Sequence, residues 1–186
     1  MGTKKRIEET LQCLVGQPFW GAGRVGNLLT FQFGPRYVKT NRHGKPHAVG
    51  TYALHVQCAW HLANAQRLLV ASGDLGYQPI DADEEMNHYE GEAYTWSRAE
   101  SSLLDERLLR FFLQCEKTPL LVQALRADDL GGLTIEMSAS YLLSLFPDDS
   151  LDAEYWRFFQ TDADPDLPHF VVTDQGIEKS RRTKDA

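Results

Sequence analysis

The chain has 186 residues, of which 42% are hydrophobic, 24% are charged and 11% are aromatic, and its formal net charge is −7. This composition predicts one folded domain and excludes global disorder, because the aromatic residues supply enough burial to offset the entropy of the chain. No apolar run approaches the roughly 20 residues that a membrane-spanning helix needs, and no apolar stretch follows the basic start, so we expect neither a membrane anchor nor a secretion signal. Three widely spaced cysteines fit a reducing compartment, and we expect a cytoplasmic protein.

The first part of the sequence predicts one helix followed by strands. Residues 3–15 show the 3.6-residue period of an amphipathic helix, which a glycine and a proline end. Residues 29–33 and 51–63 alternate between apolar and polar side chains, as strands with one buried face do. In the longer of the two, Cys58 and Trp60 share the apolar face, so we expect both to be buried.

The second part predicts another helix and more strands. From 73 to 99 the sequence is rich in glycine and acids without periodicity, which indicates a long surface loop. A helix is predicted over 101–115, where Ser102 and Asp105 have the spacing of a capping box. Residues 178–186 are basic and lack core residues, which predicts a flexible tail. The remaining predicted strands are 68–71, 120–125, 133–137, 141–146, 155–159 and 170–173.

These elements predict an α+β fold, with a single domain over 1–177 that has one mainly antiparallel, twisted sheet and two flanking helices. One pattern occurs twice, because residues 29–33 (LTFQF) resemble residues 133–137 (LTIEM). Each copy is followed by Tyr-x-Leu-x-aliphatic and then a tryptophan, at Tyr52–Val56 with Trp60 and at Tyr141–Leu145 with Trp156. Two interpretations stay open: a chance likeness of amphipathic hairpins, or two related hairpins that build one antiparallel sheet.

Charge is divided unevenly along the sequence. Residues 1–73 hold nine Lys and Arg against two acids, whereas residues 74–186 hold ten against twenty-four. Ten of these acids lie in 74–106, where Arg98 is the single base. They form either a merely solvated face or a water-exposed surface that attracts a basic protein partner, with aromatic side chains as anchors. The second interpretation predicts partner-binding residues at Asp81, Asp83, Glu84, Glu85, Tyr89, Tyr94 and Trp96, unless the aromatics simply attach this loop to the sheet.

Two loop motifs fail as cofactor or metal sites. Residues 21–26 have the G-x-G-x-x-G spacing of a dinucleotide-binding turn, but the residues that follow alternate like a strand where that site needs a helix. We therefore expect these glycines to let the chain turn into the first strand. Residues 162–166 begin like a calcium loop but lack the glycine and the glutamate that such a loop needs later. We predict no cofactor.

The histidines also give no local site. His55 and His61 would share one face of a strand about 20 Å apart, too far for one ion, and Cys58 would point to the opposite face. This spacing removes both a metal cluster and a Cys–His nucleophile pair, so we predict no metal and no catalytic residue from it. A site assembled from distant segments, such as His88 with His169, stays open.

Three stretches of the sequence, taken as a set, carry a family resemblance. They are 49–60 (VGTYALHVQCAW) with 72–75 (SGDL), 104–107 (LDER), and 146–151 (FPDDSL) with 156–158 (WRF). The set resembles small bacterial proteins of unknown function, some of which look like immunity proteins of toxin systems. The resemblance implies a protein that neutralises a toxin by binding it, without catalysis. We therefore expect a non-catalytic protein-binding module with a basic protein partner, and neither nucleic acid nor a membrane. The alternatives are an enzyme with a site built from distant segments and a small-ligand-binding protein.

Overall fold

The computed structural model describes residues 2–40, 44, 46–81, 91, 94–96, 101–151, 153–164 and 167–180. In these residues the chain forms two α-helices, α1 (Thr3–Leu11) and α2 (Leu103–Cys115). The strands are β1 (Pro18–Val25), β2 (Leu28–Thr40), β3 (Pro46–Val56), β4 (Ala59–Ala63), β5 (Leu68–Ala71), β6 (Tyr94–Thr95), β7 (Leu120–Ala127), β8 (Leu133–Met137), β9 (Tyr141–Phe146), β10 (Glu154–Gln160), β11 (His169–Thr173) and β12 (Gly176–Ser180). Neither of the two helices is long and apolar enough to cross a membrane.

The strands form one mainly antiparallel sheet in the order β12-β11-β10-β3-β2-β1-β7-β8-β9-β4-β5, and β6 adds to β1 in parallel. The predicted α+β class is confirmed, and the sheet is larger than the sequence pattern indicated. Only Gln57 and Cys58 separate β3 from β4, although these strands lie far apart in the sheet order, so the sheet bends and its inner face surrounds one core. Both helices bury their apolar stripes in that core.

The two sequence repeats occupy equivalent places in this sheet. In the first hairpin the pairs are Leu29 with Val56, Phe31 with Leu54 and Phe33 with Tyr52, and in the second they are Leu133 with Leu145, Ile135 with Leu143 and Met137 with Tyr141. The repeats therefore match position by position, in support of two related hairpins that build one sheet. The tryptophan that follows each hairpin pairs with the other hairpin, since Trp60 lies opposite Leu145 and Trp156 opposite Val56. Each half of the chain therefore contributes a strand that pairs with the hairpin of the other half.

The strand predicted over 51–63 is two strands, because the chain bends at Gln57 and Cys58, whose backbone amides both donate to the carbonyl of Tyr155. The predicted orientation of its side chains is confirmed on both sides of the bend. Cys58 is 6% exposed and Trp60 is 4% exposed. The capping box of Ser102 and Asp105 at the start of α2 is confirmed as well.

Three strands escaped the sequence pattern. Residues 21–25, predicted as a turn, belong to β1, and the turn is made by Gly26, whose φ is 61°. A side chain at Gly23 would lie 2.7 Å from Thr95 Oγ1, so glycine is what lets β6 approach β1. At the other end, β12 pairs with β11 and takes in the first three residues of the predicted tail 178–186. Residues 181–186 lie outside the described part of the chain.

Candidate functional site

An open cleft of about 670 Å³ lies on the outer face of the sheet, which we call the outer cleft. Its floor is formed by side chains that alternate with core residues: Thr30 and Gln32 of β2 point outward, whereas Phe31 between them is fully buried. The volume lies within the range of small-molecule sites in proteins. Its polar and aromatic lining consists of Arg24, Thr30, Gln32, Lys39, His47, His55, Thr95, Phe159, Gln160, Thr161, Asp164 and His169.

Phe159 of β10 forms one wall of the outer cleft together with two histidines. Its ring stacks on that of His169, with centroids 4.1 Å apart and an interplanar angle of 7°. The ring of His55 meets Phe159 edge to face at 4.8 Å. Antiparallel pairing of β3, β10 and β11 brings these three side chains together, although more than 100 residues separate His55 from the others.

The opposite wall comes from the long β2–β3 hairpin. Its arms continue past a bulge between Phe33 and Arg36, and Lys39 lies opposite His47 near its end. The Lys39 ammonium donates a hydrogen bond to the backbone carbonyl of Thr161, just after β10. The Thr161 amide in turn donates to the carbonyl of Thr51, at 2.9 Å. These bonds hold the hairpin against the end of β10, so the cleft has walls on two sides.

A buried polar network fixes the third edge of the cleft, where Thr95 is exposed. Its neighbour Tyr94 points inward and donates a hydrogen bond of 2.6 Å to Asp105 of α2. Arg24 binds the same carboxylate through Nε at 2.8 Å and Nη2 at 2.9 Å. Ser102 donates to it from its amide and from its hydroxyl. Asp105 has no exposed surface, and five donors compensate its charge.

The network also changes the acidity of its members. The hydrogen bond to Asp105 is the main reason that the pKa of Arg24 lies above its ordinary value, and burial opposes it. Burial, followed by the negative charge of Asp105, raises the pKa of the Tyr94 hydroxyl well above its usual range. Both groups therefore keep their protons at neutral pH, and Tyr94 acts as a fixed hydrogen-bond donor.

Of the seven residues predicted to bind a partner, Asp83, Glu84, Glu85 and Tyr89 lie outside the described residues. Asp81 is exposed, as predicted, and its carboxylate lies 3.6 Å from the Arg110 guanidinium.

The two described aromatics of that segment differ from the prediction. Tyr94 is buried, with 1% of its surface exposed, so it offers no contact area to a partner. Trp96 is half-buried, stacks on Tyr94 at 5.1 Å and donates from its indole nitrogen to Ser101. Both side chains attach the segment to the body of the protein, as in the alternative interpretation that these aromatic residues serve the fold and not a partner.

The described acids of 74–106 are also less exposed than predicted. Of the four that the structure describes, Asp105 and Glu106 are buried and Asp74 is largely so. Glu106 accepts bonds from the amides of Ile80 and Asp81, and Asp74 pairs with an arginine at 2.9 Å. Burial is tolerated because each carboxylate has partners, a condition that composition alone does not reveal.

The described cysteines and histidines do not form a metal or thiol site. In the described ranges no three or more His, Cys, Asp or Glu side chains cluster closely enough to hold a metal ion. Burial is the main reason that the pKa of Cys58 rises to about 12 and that of Cys115 to about 11, so both stay as weakly nucleophilic thiols. His61 packs against Phe146, and His88 lies outside the described residues, so its predicted pairing with His169 stays a prediction.

Comparisons with known protein families, curated proteins and solved structures found no match to this chain. The outer cleft is much larger than a second recess in the described residues. The second recess measures about 110 Å³ and lies beside Cys58 and Trp60. Sequence reasoning placed His55 on an outer face and named His169, but it missed Lys39, Phe159 and Thr161. Only the pairing of β3 with β10 would have revealed Phe159.

Proposed function

We propose that the protein is a non-catalytic binding protein that holds a small ligand in the outer cleft. The observation that carries this proposal is the cleft itself, about 670 Å³ with its floor on paired strands and its walls on two sides. A floor of paired strands is rigid, so the groups that contact a ligand are already in place. Binding therefore costs little free energy for ordering the protein. The lining combines aromatic rings with a few polar groups, as ligand sites do.

The chemistry of the described groups favours binding over catalysis. The Lys39 ammonium is held by a backbone carbonyl, an arrangement that fixes its position and suits it to orient a ligand. Cys58 and Cys115, which would be the strongest nucleophiles as thiolates, keep their protons and do not line the cleft.

A basic protein partner, as expected from the resemblance to immunity proteins, remains a second prediction for the segment around Asp81. No contact among the described residues favours it over the cleft, because Tyr94 and Trp96 are engaged within the fold. The small-ligand alternative is therefore the one that geometry supports better. Replacing Asp81 with Lys leaves the cleft untouched and separates the two hypotheses once a partner is known.

The proposal is tested by following the imidazole signals of the histidines in NMR spectra while probe molecules are added. Three probes share one bicyclic ring: naphthoate is an anion, naphthamide is neutral and naphthylmethylamine is a cation. We expect at least one of them to shift the signals of His47, His55 and His169. The signal of His61 should not move, because His61 lies on β4, outside the cleft.

A matched pair of variants adds a test of location. Thr30→Phe fills the cleft floor, whereas Thr134→Phe makes the same change at the equivalent position of β8, on the half without the cleft. We expect Thr30→Phe to abolish the shifts and Thr134→Phe to keep them. If none of the probes at up to about 10 mM, well above the Kd of a weak binder, moves the cleft histidines of the wild-type protein, the proposal is wrong.

A further inference from the structure

We infer that the outer cleft is built for an organic anion that carries a planar ring. This inference rests on the proposed function and adds to it the chemical class of the ligand. Three observations lead to it: the charge of the strands that form the floor, the donors on the walls, and the stacked aromatic rings of Phe159 and His169.

The strands under the cleft come from a part of the chain without negative charge. Residues 10–73, which contain β1, β2 and β3, include no Asp or Glu. Two of the basic residues on these strands are already engaged, since Arg24 binds the buried Asp105 and Arg36 lies 4.3 Å from the ring centre of Trp20. The Lys39 ammonium remains as the formal positive charge that faces the cleft from the floor strands. A site whose floor strands carry positive charge and no negative charge attracts negative ligands.

The walls offer mainly nitrogen donors. A lysine ammonium has three N–H donors, and one of those on Lys39 is used by Thr161. The imidazole of His47 adds ring nitrogens on the same wall as Lys39, and those of His55 and His169 add them along the floor and on the other side. The one carboxylate in the described lining belongs to Asp164, which is exposed. A carboxylate or phosphate on the ligand would therefore meet donors rather than acceptors.

The ring requirement follows from the shape of the wall. The rings of Phe159 and His169 are stacked, parallel to within 7° with centroids 4.1 Å apart, so each covers one face of the other and a ligand ring can stack only on an outer, flat face of this pair. The His55 ring, which stands nearly perpendicular at 88°, borders that surface. Planar rings gain favourable stacking and edge contacts on such a surface, which a saturated ring of the same size does not.

The test measures the dissociation constants of naphthoate, naphthamide and naphthylmethylamine from the shifts of the cleft histidines. We expect naphthoate to bind about three- to fivefold more tightly than naphthamide, the effect of one exposed charge pair with Lys39, and the amine to bind most weakly. The preference should shrink when salt is raised from about 50 mM to about 500 mM, because ions screen the attraction. Decahydronaphthoate, an anion without a planar ring, should bind about threefold or more weakly than naphthoate.

Charge variants locate the effect in the cleft. We expect Lys39→Gln to remove most of the preference for naphthoate over naphthamide and Asp164→Asn to increase it. Lys5→Gln makes the same charge change as Lys39→Gln on α1, where Lys5 is exposed and pairs with Glu9, and it should leave the preference unchanged. An equal effect of Lys5→Gln and Lys39→Gln would mean that general charge, not the cleft, selects the anion.

Failure of this inference is distinct from failure of the proposed function. If naphthamide or the amine shifts the cleft histidines as strongly as naphthoate, the ligand is not an anion and the cleft is still a binding site. If decahydronaphthoate binds as tightly as naphthoate, the aromatic wall does not select planar rings. If no probe moves these histidines, the proposed function falls together with the inference.

Discussion

Removing the charge of Asp105 should destabilise the protein more than removing any comparable surface charge. Its two carboxylate oxygens accept five hydrogen bonds, from Arg24, Tyr94 and Ser102, at 2.6–2.9 Å. In Asp105→Asn an NH₂ group replaces one oxygen and faces donors, and the buried guanidinium loses its counter-ion. Breaking a buried pair from one side costs about 3–5 kcal/mol of unfolding free energy. For a chain of this length that lowers the melting temperature by about 6–20 °C.

The measurement is urea unfolding followed by tryptophan fluorescence, with linear extrapolation to water. Asp74→Asn is the matched control, because Asp74 pairs with Arg107 at the same 2.9 Å distance but with 38% of the arginine side chain exposed. Its pair is partly screened by water, so we expect a loss of about 1 kcal/mol or less from that interaction. Comparable losses in the two variants would contradict the assignment of Asp105 to a desolvated network.

A double variant tests whether the loss comes from the unpaired charge. Arg24→Met alone leaves Asp105 without its cation and should cost about 3–5 kcal/mol. Combining it with Asp105→Leu removes both charges, and the double variant should be more stable than the sum of the two single losses predicts. If the two losses simply add, Arg24 and Asp105 are not coupled and the explanation of the buried network is wrong.

The remaining predictions concern single sites in the core and in a turn. Trp60→Ala should cost about 3–5 kcal/mol, because Trp60 is buried edge-on against Phe31; a loss below about 1 kcal/mol in urea unfolding would contradict this packing. Cys58 has a pKa of about 12 in the folded protein against about 9 when unfolded, so the unfolded state loses its proton first and stability should fall between these pH values. The slope from this group is about 1.4 kcal/mol per pH unit, and it should disappear in Cys58→Ala. The native Cys58 thiol should also react with iodoacetamide far more slowly than the thiol of exposed Cys13. Equal rates would show that the connection between β3 and β4 does not keep Cys58 buried. Ala139 has a φ of 56° without being glycine, a backbone conformation that is strained for alanine. Ala139→Gly should therefore stabilise the protein by about 0.5–1 kcal/mol in the same assay. A less stable variant would show that the backbone at Ala139 is not strained.

Sequence pattern predicted the second hairpin best. The predicted segments 133–137 and 141–146 coincide with β8 and β9, because both strands are short, apolar and bounded by turn residues. The likeness of this hairpin to the first also pointed to a shared arrangement, which the register of both pairs supports. The local sequence was enough here because each strand is short and contributes apolar side chains to the core.

Elements whose form depends on a distant partner were not predictable in the same way. β1 contains glycines that weaken a strand pattern, and Gly23 is explained only by the approach of Thr95, which lies 72 residues further along the chain. The carboxylates of Asp105 and Glu106 look solvated by composition, yet both are buried beside their partners. The aromatic wall of the cleft has the same origin, since Phe159 reaches His55 only through the pairing of β3 with β10.

The two halves of the sheet differ in the region of the outer cleft, and this difference distinguishes the residues that build the core from those that line the proposed ligand site. In the second hairpin the hydroxyls of Thr134 and the buried Ser144 lie 3.3 Å apart and bind each other, and the neighbouring Glu136 binds Arg126. At the equivalent positions of the first hairpin, Thr30 faces His55 and both line the outer cleft. The first hairpin also has strands of 13 and 11 residues against 5 and 6 in the second, and its extra length supplies a wall. The features that the halves share build the core, so a ligand-binding role is best assigned to those that only the first half has.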